Sequence, residues 1–114
     1  MILLTSGAKG ASAIGAHGRV VVPGRRALCV DATGAGDAFI AGSLAVLVAY
    51  GARPQSAAWT DARVWRAALD VGNRMGAKAV SRFGAVEGLV GLDGLRRRIE
   101  KIRADRGRSR ESED

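Results

Sequence analysis

The heptad Asp31-Ala32-Thr33-Gly34-Ala35-Gly36-Asp37 limits this chain more than any other stretch. A short apolar run, Ala27-Leu28-Cys29-Val30, comes just before it, and a longer one, Ala38-Phe39-Ile40-Ala41-Gly42-Ser43-Leu44, follows at once. The order predicts a strand, a glycine turn and then a helix. Such a turn leaves several backbone N–H groups without partners at the start of the helix. The helix dipole favours negative charge at the same place. Together these features hold an anion. Asp37 falls in the first helical turn, where its carboxylate would repel a bound phosphate unless it has a task there. Taking a proton from an attacking hydroxyl is such a task. By itself, a Gly-x-Gly at this point also serves as a tight turn that caps a buried helix.

Two further segments carry glycines at informative spacing. In Leu3-Leu4-Thr5-Ser6-Gly7-Ala8-Lys9-Gly10-Ala11, the glycines let the backbone pass close to a ligand, and Lys9 is within reach of a phosphate. The same Gly-x-x-Gly between two strands also reads as a plain hairpin turn. The segment from Val71 to Ala85 is rich in Gly, Ala and Asn. Its small residues at Gly72, Asn73 and Gly76 suit either the flat face of a purine or close packing against another helix.

Taken together, the three segments resemble the C-terminal part of the ribokinase-like (PfkB-type) carbohydrate kinases. The family pattern Asp-Thr-x-Gly-Ala-Gly-Asp is matched at Asp31, Gly34, Ala35, Gly36 and Asp37, with Ala32 in place of threonine and Thr33 at the variable position. The resemblance spans residues 1 to about 103 and implies an α/β fold, the C-terminal portion of a three-layer α/β/α domain with a truncated sheet. It implies ATP-dependent phosphoryl transfer to an alcohol group of a sugar, nucleoside or vitamin. Gly34, Ala35 and Gly36 would form the anion hole and Asp37 would be the catalytic base. Thr5, Ser6, Gly7, Lys9 and Gly10 would approach the nucleotide, and Gly72, Asn73 and Gly76 would border its adenine. Mg²⁺ would accompany ATP. A monovalent cation such as K⁺ would sit near Asp31, Thr33, Ala79 and Gly84, held by backbone oxygens. Gly88 stands where family members have serine.

The resemblance leaves out the family's sugar-recognition residues, lid strands and first half of the sheet. The isolated chain is therefore expected to transfer phosphate poorly, and self-association or a missing N-terminal portion is expected to complete it. Three classes of function follow: a kinase segment, a non-catalytic nucleotide-binding remnant, and a basic nucleic-acid-binding domain that matches the motif by chance.

Charge bears on the third class. The chain has 18 Lys and Arg against 11 Asp and Glu, a formal net charge of +7. Basic residues are dense after Leu95, but no aromatic interleaves with them to stack bases. Nucleic acid is thus not the expected partner. A lone cysteine, Cys29, excludes an internal disulfide. One histidine, His17, and one cysteine cannot build an ordinary zinc site. Neither a leader nor a membrane span is evident, and a cytoplasmic protein with no membrane partner is expected.

The apolar patterning predicts strands at 1–5, 11–15, 19–22 and 27–31, the first of them buried. A helix over 35–50, apolar nearly all round and so expected to be buried against sheet and neighbouring helices, closes at Gly51 with Pro54 beyond. A second helix over 62–80, capped by Thr60 or Asp61, carries Val64, Ala67, Ala68, Val71 and Met75 on one face. Asp93 caps a last helix with Leu95, Ile99 and Ile102 on one side and arginines on the other. Residues 104–114 read as a charged, disordered tail.

Overall fold

A computed structural model describes residues 1–15, 18–25, 34–80 and 93–113. The predicted strand at 27–31 and the residues His17, Cys29, Asp31, Thr33, Gly84 and Gly88 lie outside the described residues. Three strands, β1 (Ile2–Thr5), β2 (Ala11–Gly15) and β3 (Gly18–Val22), form an antiparallel sheet in the order β1-β2-β3. Ala13 pairs with Leu3 on one side and Val20 on the other, and Ala11 pairs with Val22. Strand periodicity puts these residues on one face, where Ala11, Ala13, Val20 and Val22 are buried. Short side chains at Ala11 and Ala13 let a helix approach the sheet closely.

That helix is α2 (Ala62–Val80), which lies on β2 and β3. Asp61 caps it, its Oδ1 accepting from the Arg63 backbone N–H at 2.9 Å. The Asp61 carboxylate also accepts from the Arg63 side chain, and these hydrogen bonds hold its pKa below the usual value. The expected face of α2 is present, with Val64, Ala68 and Val71 buried, and Trp65 and Leu69 extend it. Trp65 is 1% exposed. Its Nε1–H donates to the Trp59 carbonyl at 2.6 Å. The two indoles meet edge to face with centroids 5.0 Å apart, a favoured aromatic geometry.

α1 (Ala35–Tyr50) packs along α2 and also meets the last helix. Gly34 precedes it at φ 80°, and Gly51 closes it at φ 66°. Both angles lie in the left-handed region that glycine enters without strain. Gly51 N–H donates to Val48 O, and Ala52 N–H to Leu47 O, the Schellman pattern for a helix end. The Arg106 guanidinium occupies the space a side chain on Gly51 would need, which sets a cation at the negative end of the α1 dipole.

Three expectations are corrected here. β1 is exposed along its whole length, because it is the open edge of the sheet and nothing described covers either of its faces. α1 buries Phe39, Val46 and Leu47 but leaves Ile40, Leu44 and Val48 at 53%, 53% and 62% exposure, a stripe at four-residue spacing. The charged tail is helical: α3 runs from Asp93 to Glu113. Its length follows from local charge and from docking. Arg96 pairs with Glu100 at 3.2 Å and Arg108 pairs with Asp105, contacts that support a helix at this spacing. Ile99 and Ile102 join the core.

Asp70 on α2 ties the outer elements together. Its carboxylate receives Arg25, from the segment after β3, at 2.8 Å and Arg98 of α3 at 2.7 Å. Arg74 Nε lies 3.4 Å away, buried and outside hydrogen-bond geometry, so that contact is ionic alone. Burial acts to raise the Asp70 pKa, but the hydrogen bonds from Arg25 and Arg98 and the nearby Arg74 charge outweigh it and hold the group below its ordinary value. A carboxylate lowered in the folded state stabilises the fold above its unfolded pKa of about 4, and that contribution is lost as pH falls through the folded value. Acidification below about pH 4 is therefore expected to loosen α3. Circular dichroism followed from pH 6 to pH 2 would check this. In Asp70→Asn this low-pH transition should disappear; if it stays at the same pH, Asp70 is not its cause.

Candidate active site

The turn into α1 has the geometry an anion site needs. The Gly34 carbonyl accepts the first helical hydrogen bond, from Ala38 N–H at 2.9 Å. The N–H groups of Ala35, Gly36 and Asp37 therefore precede the first bonded turn. Among the described residues, nothing lies within 4 Å of a Cβ placed on Gly36, so none of them fills the space beside the backbone where a ligand would come. Asp37 is exposed in the same turn. Backbone donors, the positive helix end and a carboxylate thus share one solvent-facing turn. That arrangement can hold a phosphoryl group and accept a proton beside it.

The glycine turn after β1 is a single 3₁₀ turn, Gly7–Lys9. Ser6 N–H donates to Gly10 O at 2.8 Å, Lys9 N–H to Ser6 O at 3.0 Å and Gly10 N–H to Gly7 O at 3.2 Å, so the loop closes on itself. Thr5 ends β1, and Lys9 is exposed. Gly10 has φ 107°, and a Cβ on it would overlap the Val22 carbonyl and the Gly24 nitrogen. Gly24 in turn fits against the Ala8 carbonyl. Interlocking with the segment after β3 therefore accounts for Gly10, whereas Gly7, at φ 55°, faces open space.

The late-helix residues link these parts. Asn73 Nδ2 donates to the Pro23 carbonyl at 3.2 Å, which anchors α2 to the segment that interlocks with the Gly7–Gly10 loop. Gly72 is buried against α1: a Cβ there would overlap Ser43 Oγ and come within 2.8 Å of the Phe39 ring. A Cβ at Gly76 would lie 3.4 Å from the Ala35 carbonyl. The three glycine segments, far apart in sequence, are therefore joined through α2. Ala79, in the last turn of α2, is buried. The other residues expected at a monovalent cation, Asp31, Thr33 and Gly84, lie outside the described residues. Among the described residues no group of three or more His, Cys, Asp or Glu side chains can hold a metal ion. No helix among them is long and apolar enough to cross a membrane.

Asp70 and its three arginines escape the sequence reading. The Asp70-to-Arg74 spacing of four is a visible hint, but Arg25 and Arg98 are 45 and 28 residues away and only folding brings them in.

Similarity to known proteins points to one family. Residues 1–90 match the model of the pfkB family carbohydrate kinases. The chain is 41% identical over 90 residues to the fructokinase of Escherichia coli, covering 78% of this chain and 27% of that protein. Among solved structures, it superposes with a TM-score of 0.66 and 35% identity on aminoimidazole riboside kinase from Salmonella enterica, determined with aminoimidazole riboside and an ATP analogue. That match covers 85% of this chain and 30% of the kinase. Fructokinase from Vibrio cholerae O395, determined with fructose, ADP and calcium ion, gives a TM-score of 0.66 at 30% identity, covering 83% of this chain and 29% of that one. The chain thus spans under a third of the length of these relatives.

Proposed function

Because this chain belongs to the pfkB family of carbohydrate kinases, we propose that it supplies the phosphate-binding turn and the catalytic base of an ATP-dependent phosphotransferase. The acceptor is an alcohol group of a sugar or sugar-like molecule. The observation that carries this is the open turn at Gly34–Asp37, where backbone donors and an exposed carboxylate face solvent together.

The roles follow from the chemistry of phosphoryl transfer. The N–H groups of Ala35, Gly36 and Asp37 stabilise charge on the transferring phosphoryl group, a term that often dominates such catalysis. Asp37 accepts the proton of the acceptor hydroxyl. A carboxylate is a weak base, and it suffices here because the proton leaves late in a loose transition state. Lys9 and the Gly7–Gly10 loop approach the nucleotide. Mg²⁺ bound with the nucleotide would supply charge neutralisation for its phosphates. Asp31, Thr33, Ala79 and Gly84 remain the proposed backbone-oxygen ligands of a monovalent cation.

On its own the chain is expected to bind nucleotide and to transfer little phosphate. The exposed stripe of α1 and the open edge of β1 are apolar surfaces of the kind that self-associate or receive more protein. A chimera provides the test. Residues 1–90 of this chain replace the matching segment of the Escherichia coli fructokinase, and phosphorylation of fructose and of aminoimidazole riboside is measured. Retained, ATP-dependent turnover of either acceptor is the expected result. A folded chimera that binds no ATP would sink the proposal.

A further inference from the structure

We propose that Gly76 is a positioning residue for the phosphate turn: a residue no larger than alanine there lets the first turn of α1 seat, and so sets where the amides of Ala35, Gly36 and Asp37 point. This inference rests on the reading of that turn as a phosphate site.

The contact between α1 and α2 is a register of rows. On α2 the row is Ala68, Gly72 and Gly76. On α1 it is Ser43, Phe39 and Ala35, running the opposite way. Ser43 Oγ–H donates to the Ala68 carbonyl at 3.1 Å, and both Ser43 and Ala68 are buried. Gly72 receives the Phe39 ring and the Ser43 hydroxyl. Gly76 receives the Ala35 carbonyl at 3.4 Å and Phe39 Cβ at 4.0 Å, measured from the position a Cβ would take. Both rows step by four residues, which is how the ridges of two helices interdigitate. Gly42 tightens the same seam, because a Cβ on it would come within 2.8 Å of Met75 Sδ and 3.1 Å of the Val71 carbonyl. The buried Ser43 bond fixes the register at one end of the row. At the other end lies the phosphate turn.

Clearance at that end is graded. A methyl at Gly76 meets Ala35 at ordinary van der Waals distance, and a larger side chain has the Ala35 carbonyl and Phe39 Cβ as its nearest neighbours. The size of residue 76 therefore sets the position of the turn. This role differs from bordering the adenine, which the family resemblance implies for Gly72 and Gly76. The two roles make different demands on a ligand that has no base.

The experiment uses the full chain, ¹⁵N-labelled, with the amides of Ala35, Gly36 and Asp37 as reporters and with pyrophosphate and ADP as separate probes. Gly76→Ala, Gly76→Ser and Gly76→Val are compared with the parent. The expected result, before any ligand is added, is three amides unmoved in Gly76→Ala and displaced in Gly76→Ser and further in Gly76→Val. Pyrophosphate and ADP should both weaken in step, reaching tenfold or more in Gly76→Val. Loss of ADP affinity with pyrophosphate held within twofold of the parent would overturn the inference in favour of a base wall. Unmoved Ala35–Asp37 amides in ligand-free Gly76→Val would overturn it too. If Gly76→Val does not fold, Gly76→Ser decides by the same criteria. A parent chain whose Gly36 amide ignores pyrophosphate removes the phosphate reading. The ligand-free displacement then judges the seating of the turn separately.

Discussion

Asp37→Asn in the fructokinase chimera is expected to lower kcat by about 10²- to 10⁴-fold, the usual contribution of a positioned general base. Nucleotide affinity should hold or rise. The substitution keeps the shape of the side chain and the backbone donors of the turn, and it removes a negative charge that faces the bound phosphates. Two charges a few ångströms apart near a protein surface repel by about 4 kcal/mol at an effective dielectric of 20, and by less where water reaches them. The exposure of Asp37 places it in the weaker regime, so the gain in affinity is expected to stay within tenfold. The split between kcat and binding is the informative quantity. A kcat within tenfold of the parent would mean that Asp37 is not the base. A collapse of nucleotide binding would mean that it holds the turn together instead. Isothermal titration with ADP, run beside the rate measurement, separates these results.

The largest expected effect on stability belongs to Trp65. Trp65→Ala should cost about 3–5 kcal/mol, the usual loss for a buried aromatic cut to a methyl. Net stabilities of small domains are about 5–15 kcal/mol, so the variant is expected to lie close to unfolding at room temperature. The cost has separable parts. Trp65 fills the contact between α2 and the Ala57–Thr60 turn, stacks edge to face on Trp59, and satisfies the Trp59 carbonyl. Trp65→Phe keeps most of the ring area and loses the donor. It leaves the partly buried Trp59 carbonyl without its indole donor, at a cost of about 1–3 kcal/mol. Urea unfolding of both variants gives the two numbers. A midpoint for Trp65→Ala within 1 kcal/mol of the parent would show that this corner is not part of the core.

Local pattern made much of the molecule legible. The heptad placed a glycine turn before a helix, and Gly34 and Gly51 bracket that helix at the expected positions because both need left-handed backbone. Apolar spacing of three and four residues gave α2, and Asp61 was named as one of its two possible caps. Apolar runs on either side of His17-Gly18 placed β2 and β3. These features depend on a residue and its neighbours within one or two turns, so the order of residues alone carries them. Burial was less legible. Met1-Ile2-Leu3-Leu4 reads as an interior strand, but hydrophobicity does not say whether anything covers it, and the described fold leaves β1 at an edge. The stripe Ile40, Leu44, Val48 misleads for the same reason. The charged segment after residue 103 reads as too polar to fold, but Arg98 on Asp70 and Ile102 in the core anchor the helix that continues through it.

The sequence by itself determined the chemistry on offer: a glycine turn with an adjacent carboxylate, at a spacing shared with a family of kinases. Tertiary structure decided what each glycine is for. Gly10, Gly72 and Gly76 look alike in the chain as small residues near a nucleotide, and they separate only when partners distant in sequence arrive: the Val22 carbonyl, the Phe39 ring and the Ala35 carbonyl. A missing side chain has no chemistry of its own, so its role is set by what fills the space it leaves. Long-range packing alone supplies that.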